Sequence, residues 1–158
     1  ESTYVPARMN LATLLSRRGR NQEAEKILRE AANLQPTWGQ VHYSLGLLLA
    51  EDHKRLSEAI RSLERASAYW NDNPRVFNNL AIAYWQSDKI EDAANSFLQA
   101  IRLQPENPEF LQNIVQLLVQ RGRWVDALPH ARNMVRLLPE NQQAKAFLAQ
   151  IERNARGQ

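Results

Sequence analysis

The chain has 158 residues, a formal net charge of +3 and no cysteine. The lack of cysteine excludes disulfide bonds, thiolate metal sites and a cysteine nucleophile. Apolar residues make up 44% of the chain, which is enough for a packed interior, and no run approaches the roughly 18 consecutive apolar residues of a membrane span. The composition suits the cytoplasm and the periplasm equally, so it does not predict the compartment.

One pattern of residues recurs four times along the chain, at intervals of 34 or 35 residues. A small residue and an apolar residue return in each copy. The small residues are Ala24, Ala59, Ala93 and Ala127, and the apolar residues are Leu11, Leu45, Leu80 and Ile114. Repetition at this period is typical of a solenoid, in which each unit buries its apolar face only by stacking on its neighbours.

The first copy predicts two helices separated by a turn. Leu11 and Leu15 are four residues apart, which is the spacing of one face of an amphipathic helix. Gly19 is placed to end that helix. Asn21 is expected to cap the second helix, because asparagine side chains accept hydrogen bonds from backbone N–H groups at helix starts. Pro36 closes the unit, since proline cannot continue a helix interior.

The second copy is one residue longer than the others. The apolar positions up to Leu49 keep the spacing of the first copy, whereas those from Ala59 onwards come one position late. An insertion inside a helix would rotate its apolar face by about 100°. The additional residue is therefore expected in a loop, within the polar run 51–55. Further along, Pro74 is placed to open the next helix.

We interpret residues 1–158 as a single domain of four units followed by a capping helix at about 141–155. The units span about residues 5–38, 39–73, 74–107 and 108–141. The final segment has one apolar stripe and is otherwise polar, as expected for a helix that covers the stack on one side and faces water on the other. No matching cap precedes Val5, so we expect that residues 1–4 follow further protein.

These residues resemble the tetratricopeptide repeat across residues 5–140. The third unit resembles it most, with small residues at Ala81 and Ala93 and large residues at Tyr84 and Phe97. The resemblance implies an all-α, right-handed superhelical solenoid of four helix–turn–helix repeats plus a C-terminal capping helix. It implies little about the particular partner, because this fold serves many unrelated binding roles.

The fourth unit departs from the family pattern. It has Val115 where a small residue is usual, and Ala131 where a large residue is usual. Small residues such as Gly46 of the second unit allow the two helices of a unit to approach closely. The exchange therefore predicts altered packing between the two helices of the fourth unit.

The resemblance also implies that the first helices of the units line a concave groove, which binds an extended peptide or a helix of a partner. The residue before the recurring apolar position is asparagine in three units and serine in one. Such a ladder of amides pairs with both N–H and C=O groups of an extended backbone. The alternative is that asparagine is merely tolerated on a solvated helix face. We expect eight residues in the groove: Asn10, Tyr43, Ser44, Asn78, Asn79, Trp85, Asn113 and Gln116.

Two aromatic residues, Tyr43 and Trp85, fall on the groove side of their helices. Buried aromatic side chains are good anchors for apolar side chains of a partner, although Trp85 is equally suited to packing between units. The carboxylate clamp of some family members needs basic side chains, but Met9 and Thr13 occupy two of its positions. We therefore expect a neutral groove that does not bind acidic chaperone tails.

Catalysis and metal binding find little support in the sequence. His42, His53 and His130 lie in different units, without a partner at the i,i+4 spacing of a helical metal site. No glycine-rich phosphate loop is present. We expect a protein–protein interaction module that is not an enzyme, with no metal and no cofactor. Its partner is expected to be a protein or peptide and not a nucleic acid.

Two alternatives stay open. In the first, the chain is a structural scaffold or spacer segment of a larger protein, such as a periplasmic or electron-transfer protein. In the second, it self-associates through its uncapped N-terminal end and forms a homo-oligomer. Leu11, Leu14 and Ile27 are the apolar residues expected to lack cover at that end.

Overall fold

The computed structural model describes residues 4–157, and every regular element in that range is helical. Residues 1–3 of the expected N-terminal extension lie outside the described residues. The α-helices are α1 (Val5–Arg17), α2 (Asn21–Leu34), α3 (Gly39–Ala50), α4 (Leu56–Tyr69), α5 (Pro74–Gln86), α6 (Ile90–Leu103), α7 (Pro108–Gln120), α8 (Trp124–Leu137) and α9 (Gln142–Ala155). A short 3₁₀-helix, His53–Arg55, directly precedes α4.

The helices pair in chain order, and the pairs stack on one another. We call the pairs units 1 to 4; they are α1 with α2, α3 with α4, α5 with α6, and α7 with α8. The second helix of each unit also packs against the next helix in the chain, and α9 covers α8. The prediction of an all-α solenoid, in which each unit buries its apolar face against its neighbours, is confirmed.

Local sequence explains where the first helices of units 3 and 4 begin. Pro74 and Pro108 are the first residues of their helices, where a missing N–H loses no helical hydrogen bond. The preceding residue caps the helix in each case. Asn73 accepts a hydrogen bond from the N–H of Arg75 at 2.9 Å, and Asn107 caps α7 in the same way. The prediction that Pro74 opens a helix is confirmed.

The predicted cap at Asn21 is wrong. Arg20 holds the N-cap position of α2, and no side chain caps that helix. Asn21 is instead the first helical residue, and its amide donates a hydrogen bond to the carboxylate of Glu51 at 2.7 Å. The side chain therefore joins unit 1 to unit 2 and does not serve the start of its own helix.

A basic residue precedes the second helix of every unit, and an acidic residue follows three positions later. The four pairs are Arg20 and Glu23, Arg55 and Glu58, Lys89 and Asp92, and Arg123 and Asp126. The three arginine pairs form ion pairs of 2.6 to 2.9 Å. An acidic side chain in the first turn interacts favourably with the helix dipole. These helices are thus stabilised at their starts without a hydrogen-bonding cap.

The additional residue of unit 2 lies between its two helices. The other units join their helices through three-residue turns, whereas this turn has five residues, of which three form the 3₁₀-helix. Asp52 caps the 3₁₀-helix by accepting a hydrogen bond from the N–H of Lys54 at 2.9 Å. The prediction of an insertion within residues 51–55 is confirmed.

The three-residue turns each contain one residue with a left-handed backbone. These residues are Gly19, Asp88 and Gly122, with φ values of 75°, 59° and 69°. Glycine adopts this region without the steric cost that a Cβ atom brings. The predicted role of Gly19 at the end of α1 therefore agrees with its conformation. Asp88 takes the same position in unit 3, where its carboxylate pairs with Arg121 of the next turn.

The two helices of a unit approach closely where they cross. In unit 2, a Cβ atom on Gly46 would lie 2.6 Å from Cγ and 3.2 Å from the backbone nitrogen of Leu63, so the crossing accommodates only glycine. In register, units 1 to 3 place a smaller residue on the first helix and a larger one on the second: Ala12 and Leu28, Gly46 and Leu63, Ala81 and Phe97.

Unit 4 reverses this order of sizes. Val115 lies on its first helix and Ala131 on its second, and both side chains are fully buried in the core shared by units 3 and 4. The exchange therefore keeps one small and one larger side chain at the crossing. Exchanges that conserve volume are those that protein cores tolerate best.

Candidate peptide-binding face

The first helices of neighbouring units are joined by side-chain hydrogen bonds. Asn79 of α5 donates to the hydroxyl of Tyr43 in α3 at 2.7 Å. Asn113 of α7 donates to the carbonyl oxygen of Asn78 in α5 at 2.9 Å. We call the surface formed by α1, α3, α5 and α7 the first-helix face. Four of the eight residues predicted for the groove are thus brought together near the middle of this face.

These hydrogen bonds occupy some of the donor and acceptor groups of the predicted amide ladder. Asn78 is only 3% exposed, so Asn113 satisfies the carbonyl oxygen of an almost fully buried side chain. Asn79 and Asn113 are half-buried. A carboxamide has two N–H donors and an oxygen that accepts twice, so each retains hydrogen-bonding groups for a ligand. Asn10 is exposed on α1, and Ser44 is half-buried on α3.

Tyr43 is held from two sides. Its ring meets that of Trp70 edge-to-face, with the ring centroids 5.8 Å apart, and its hydroxyl accepts the hydrogen bond from Asn79. Burial raises the pKa of the Tyr43 hydroxyl, because the low-dielectric surroundings disfavour the phenolate. The neutral hydroxyl is therefore a fixed part of the junction between units 2 and 3.

Trp85 packs into the core of units 3 and 4. Its ring lies edge-to-face with that of Phe97, with the centroids 6.3 Å apart. The side chain is half-buried. From the sequence, Trp85 is expected either to anchor an apolar side chain of a partner or to pack between units. The structure provides contacts for the packing role, and only part of the ring faces outward.

A cavity opens at each end of the first-helix face. The first, between α1 and α3, has a volume of about 250 Å³; Leu47 and Leu48 form apolar walls beside Ser44. We call it the α1–α3 cavity. Ser44, one of the predicted groove residues, therefore lies at the edge of an apolar cavity.

The second cavity lies between α7 and α9 and has a volume of about 330 Å³. We call it the α7–α9 cavity. Met134, Leu138 and Phe147 form its apolar walls, while Gln112 and Gln116 place amide groups at its edge. Gln116 is the predicted groove residue that lines it. Sequence reasoning missed the apolar walls, because they come from two helices and the loop between them, and no spacing in one helix indicates such a junction.

Residues 4–157 contain neither a cluster of metal-ligating side chains nor a helix that could span a membrane. No three histidine, aspartate or glutamate side chains in this range come close enough together to hold a metal ion. None of the helices in the same range is long and apolar enough to cross a membrane. The recesses of the first-helix face are thus lined by amide, hydroxyl and apolar groups, with Arg17 and Glu51 as charged residues at the α1–α3 cavity.

Two family models match the chain. A model described as YpiA-like, C-terminal tetratricopeptide repeats matches residues 74–141, and a model described as tetratricopeptide repeat matches residues 7–35. Among curated proteins, no match is found. The matched segments fall on the helices of units 1, 3 and 4.

Several solved structures share the fold. MamA from Desulfovibrio magneticus RS-1 has 20% identity and a TM-score of 0.79, over 90% of this chain and 80% of that chain. YrrB, described as a TPR protein with an unusual peptide-binding site, has 18% identity and a TM-score of 0.81, over 96% and 77%. PilF of Pseudomonas aeruginosa has 21% identity and a TM-score of 0.76, over 97% and 69%. At these identities the likeness concerns the fold alone.

Sequence, structure and comparisons agree on the kind of protein this is. The repeat of 34 or 35 residues, the stacked helix pairs and the matching models describe the same unit. Proteins built from this unit are generally interaction modules and not enzymes. The chain belongs to the tetratricopeptide repeat family.

Proposed function

We propose that the chain is a protein–protein interaction module that binds an extended peptide along its first-helix face. The observation that carries this proposal is the arrangement of the face. An apolar cavity lies at each end, and half-buried amides lie between them at Asn79 and Asn113. Apolar recesses with a few fixed polar groups are typical of ligand sites.

The amides and the cavities have different tasks in this proposal. The free N–H and C=O groups of Asn79 and Asn113 pair with the peptide backbone, which makes binding tolerant of peptide sequence. The cavities take two apolar side chains, and burying each contributes about 1.5 to 3 kcal/mol. We expect micromolar affinity for a short peptide, roughly −8 kcal/mol.

The spacing of the cavities predicts the length of the ligand. One cavity lies between α1 and α3 and the other between α7 and α9, so their centres are three unit-to-unit spacings apart. Packed helices lie about 8–10 Å apart. The distance is therefore roughly 25–30 Å, which an extended chain spans with about eight or nine residues. We expect ligands with two apolar residues separated by that many positions.

The proposal is tested by selecting peptides from a random library displayed on phage, with the immobilised chain as bait. The affinity of a selected, fluorescently labelled peptide is then measured by anisotropy. Gln116→Ala removes an amide at the edge of the α7–α9 cavity, and Asn10→Ala removes the exposed member of the ladder. Both are expected to weaken binding, the former about tenfold.

Matched controls come from amides away from the face. Gln150→Ala, on the exposed side of α9, and Asn95→Ala, on α6, remove the same groups elsewhere. Neither is expected to change the affinity. A selected peptide whose affinity is unchanged by Gln116→Ala and Asn10→Ala, or whose binding depends equally on the control positions, contradicts the proposal.

Self-association is a second candidate function, favoured by the exposure of α1. Leu11 and Leu14 are each 47% exposed. Their counterparts in the other units are all buried, because the second helix of the preceding unit covers them: Leu45, Leu80 and Ile114 for the first, and Leu48, Ala83 and Leu117 for the second. Ile27 is half-buried. We infer that this surface receives α1 of a second copy.

Sedimentation equilibrium across a range of concentrations tests this candidate. A dimer of the parent chain that Leu11→Gln/Leu14→Gln converts to a monomer is expected. The control Leu98→Gln/Leu103→Gln changes two similarly exposed leucines of α6 and should leave the dimer intact. A parent chain that is monomeric at millimolar concentration contradicts self-association and favours the scaffold alternative.

A further inference from the structure

We propose that the chain has a second binding site between α2 and α4, which takes an oxyanion of a partner peptide, a carboxylate or a phosphate group. The site is a cavity of about 310 Å³ that residues of α2, α3 and α4 line. We call it the α2–α4 cavity. It is built mainly on second helices, so it is distinct from the first-helix face, and the inference does not depend on the function proposed for that face.

The cavity carries positive charge that the protein does not neutralise. Arg61 and Arg65 line it from α4, four residues apart and hence on the same side of the helix. Neither has an ion-pair partner among residues 4–157. A third guanidinium, that of Arg29, lies at the cavity but is held by Glu25 at 2.8 Å and Glu58 at 2.7 Å.

The one acidic residue known to line the cavity is already engaged. Glu58 is hydrogen-bonded by Arg29 at 2.7 Å and by Arg55 at 2.9 and 3.0 Å. Its charge is therefore offset locally, and it does not compete for Arg61 or Arg65. Planar guanidinium groups match the geometry of carboxylate and phosphate oxygens, which they bind through two parallel hydrogen bonds.

Two buried polar side chains also line this cavity. Ser62 is 9% exposed and His42 is 3% exposed. The hydroxyl of Ser62 has no hydrogen-bond partner among the described residues. A serine hydroxyl can donate one hydrogen bond, and an oxyanion in the cavity would accept it.

His42 adds a second requirement for the ligand. Its Nε2 lies 2.7 Å from the carbonyl oxygen of Pro36, which requires that Nε2 carries a proton. In the neutral ring Nδ1 is then an acceptor, and no described residue donates to it. A ligand with an N–H group beside its oxyanion suits this pair of groups. Peptides have that combination, whereas free inorganic ions do not.

Titration of the ¹⁵N-labelled chain with three short peptides tests the proposal. The peptides are acetyl-Gly-Gly-X-Gly-Gly-amide, with phosphoserine, aspartate or serine as X. We expect the phosphoserine and aspartate peptides to shift the backbone amide signals of Asn33, Ser62 and Arg65, and the serine peptide to shift none of them. The affinities of the two anionic peptides show whether phosphate or carboxylate is preferred.

Variants separate a specific site from general charge attraction. Arg61→Gln/Arg65→Gln is expected to weaken binding of the preferred peptide at least tenfold, and Arg61→Lys/Arg65→Lys about threefold, since lysine keeps the charge without the planar fork. Lys145→Gln/Arg153→Gln removes two exposed charges of α9 and should have little effect. Equal losses in the two glutamine variants, or shifts confined to signals far from the cavity, would overturn the proposal.

Discussion

Arg55 and Glu25 form an ion pair with two hydrogen bonds across the junction of units 1 and 2. Nη1 of Arg55 lies 2.6 Å from one carboxylate oxygen of Glu25, and Nη2 lies 2.8 Å from the other. Arg55 also donates to Glu58, and Arg29 donates to both acids. The four side chains therefore form a closed ring of alternating charge. The five-residue turn of unit 2 supplies Arg55 to it.

The ring predicts a measurable contribution to stability. Glu25→Gln should lower the free energy of unfolding by about 1 kcal/mol, because it removes a charged acceptor that two arginines share and that is only partly exposed. The control Glu23→Gln breaks an exposed pair with Arg20 at the start of α2, and it should cost clearly less than Glu25→Gln because solvent screens exposed ion pairs. Urea unfolding of both variants makes the comparison, and equal effects would contradict a special role for the ring.

The ring also predicts how stability depends on pH. The pKa values of Glu25 and Glu58 are both lowered from 4.5 to about 2. The main cause in each case is hydrogen bonding by Arg55, which favours the ionised carboxylate. A lowered pKa contributes stability above the unfolded value of 4.5, and this stability is lost as the pH falls towards 2. Unfolding free energies should therefore fall more steeply between pH 4.5 and 2 in the parent than in Glu25→Gln. Parallel curves for the two proteins would contradict this prediction.

The bond between Asn113 and Asn78 predicts a difference between two members of the amide ladder. Asn113→Ala leaves the buried carbonyl oxygen of Asn78 without its donor and should cost about 1–3 kcal/mol. Asn10→Ala breaks no hydrogen bond seen among the described residues and should be neutral or slightly stabilising, since alanine is the better helix former. Thermal or urea unfolding distinguishes the two. If both variants are as stable as the parent, the bond does not contribute to folding.

The crossing at Gly46 predicts a strong response to one added methyl group. Gly46→Ala should lower stability by about 1–2 kcal/mol despite the higher helix propensity of alanine, because its Cβ meets the fully buried Leu63. Leu63→Ala removes the Cγ and Cδ2 atoms that the added Cβ would contact. The double variant should therefore be less destabilised than the sum of the single variants, and strict additivity would argue against the contact.

The left-handed turn residues predict a purely conformational effect. Gly122 has a φ of 69°, and a Cβ atom there would meet nothing within 4 Å. Gly122→Ala should therefore lower stability by about 1 kcal/mol through backbone strain alone. Gly157→Ala, at a glycine without positive φ, is the control and should have little effect. A neutral Gly122→Ala would show that the turn relaxes at no cost.

Much of the fold follows from the sequence because the repeat period and helix amphipathicity leave few alternatives. The insertion near Asp52 and the crossing at Gly46 are predictable, since each depends on spacing along one chain segment. The hydrogen bond from Asn79 to Tyr43 is not. It depends on how far one helix is displaced along its neighbour, and a displacement of one residue would join different side chains.

The charged residues at the starts of the second helices were missed although the sequence carries their signal. Arg20, Arg55, Lys89 and Arg123 recur with the repeat period, and an acidic residue follows each by three positions. The pairing of Arg55 with Glu25 in the preceding unit is harder to predict, because it depends on the path of the longer turn. The α2–α4 cavity is likewise a product of three helices, which no single helix face indicates.

The reversed sizes of Val115 and Ala131 have a consequence for evolution and engineering. Transplanting the first helix of unit 3 into unit 4 would set Ala81 opposite Ala131 and leave a void, which would destabilise the chain through lost packing. The reciprocal exchange would set Val115 against Phe97 and crowd the crossing. Shuffling or duplication of single helices is therefore disfavoured between units 3 and 4. Exchange of complete helix pairs preserves the match between the two side chains. The helix pair is thus the smallest interchangeable part at this end of the protein.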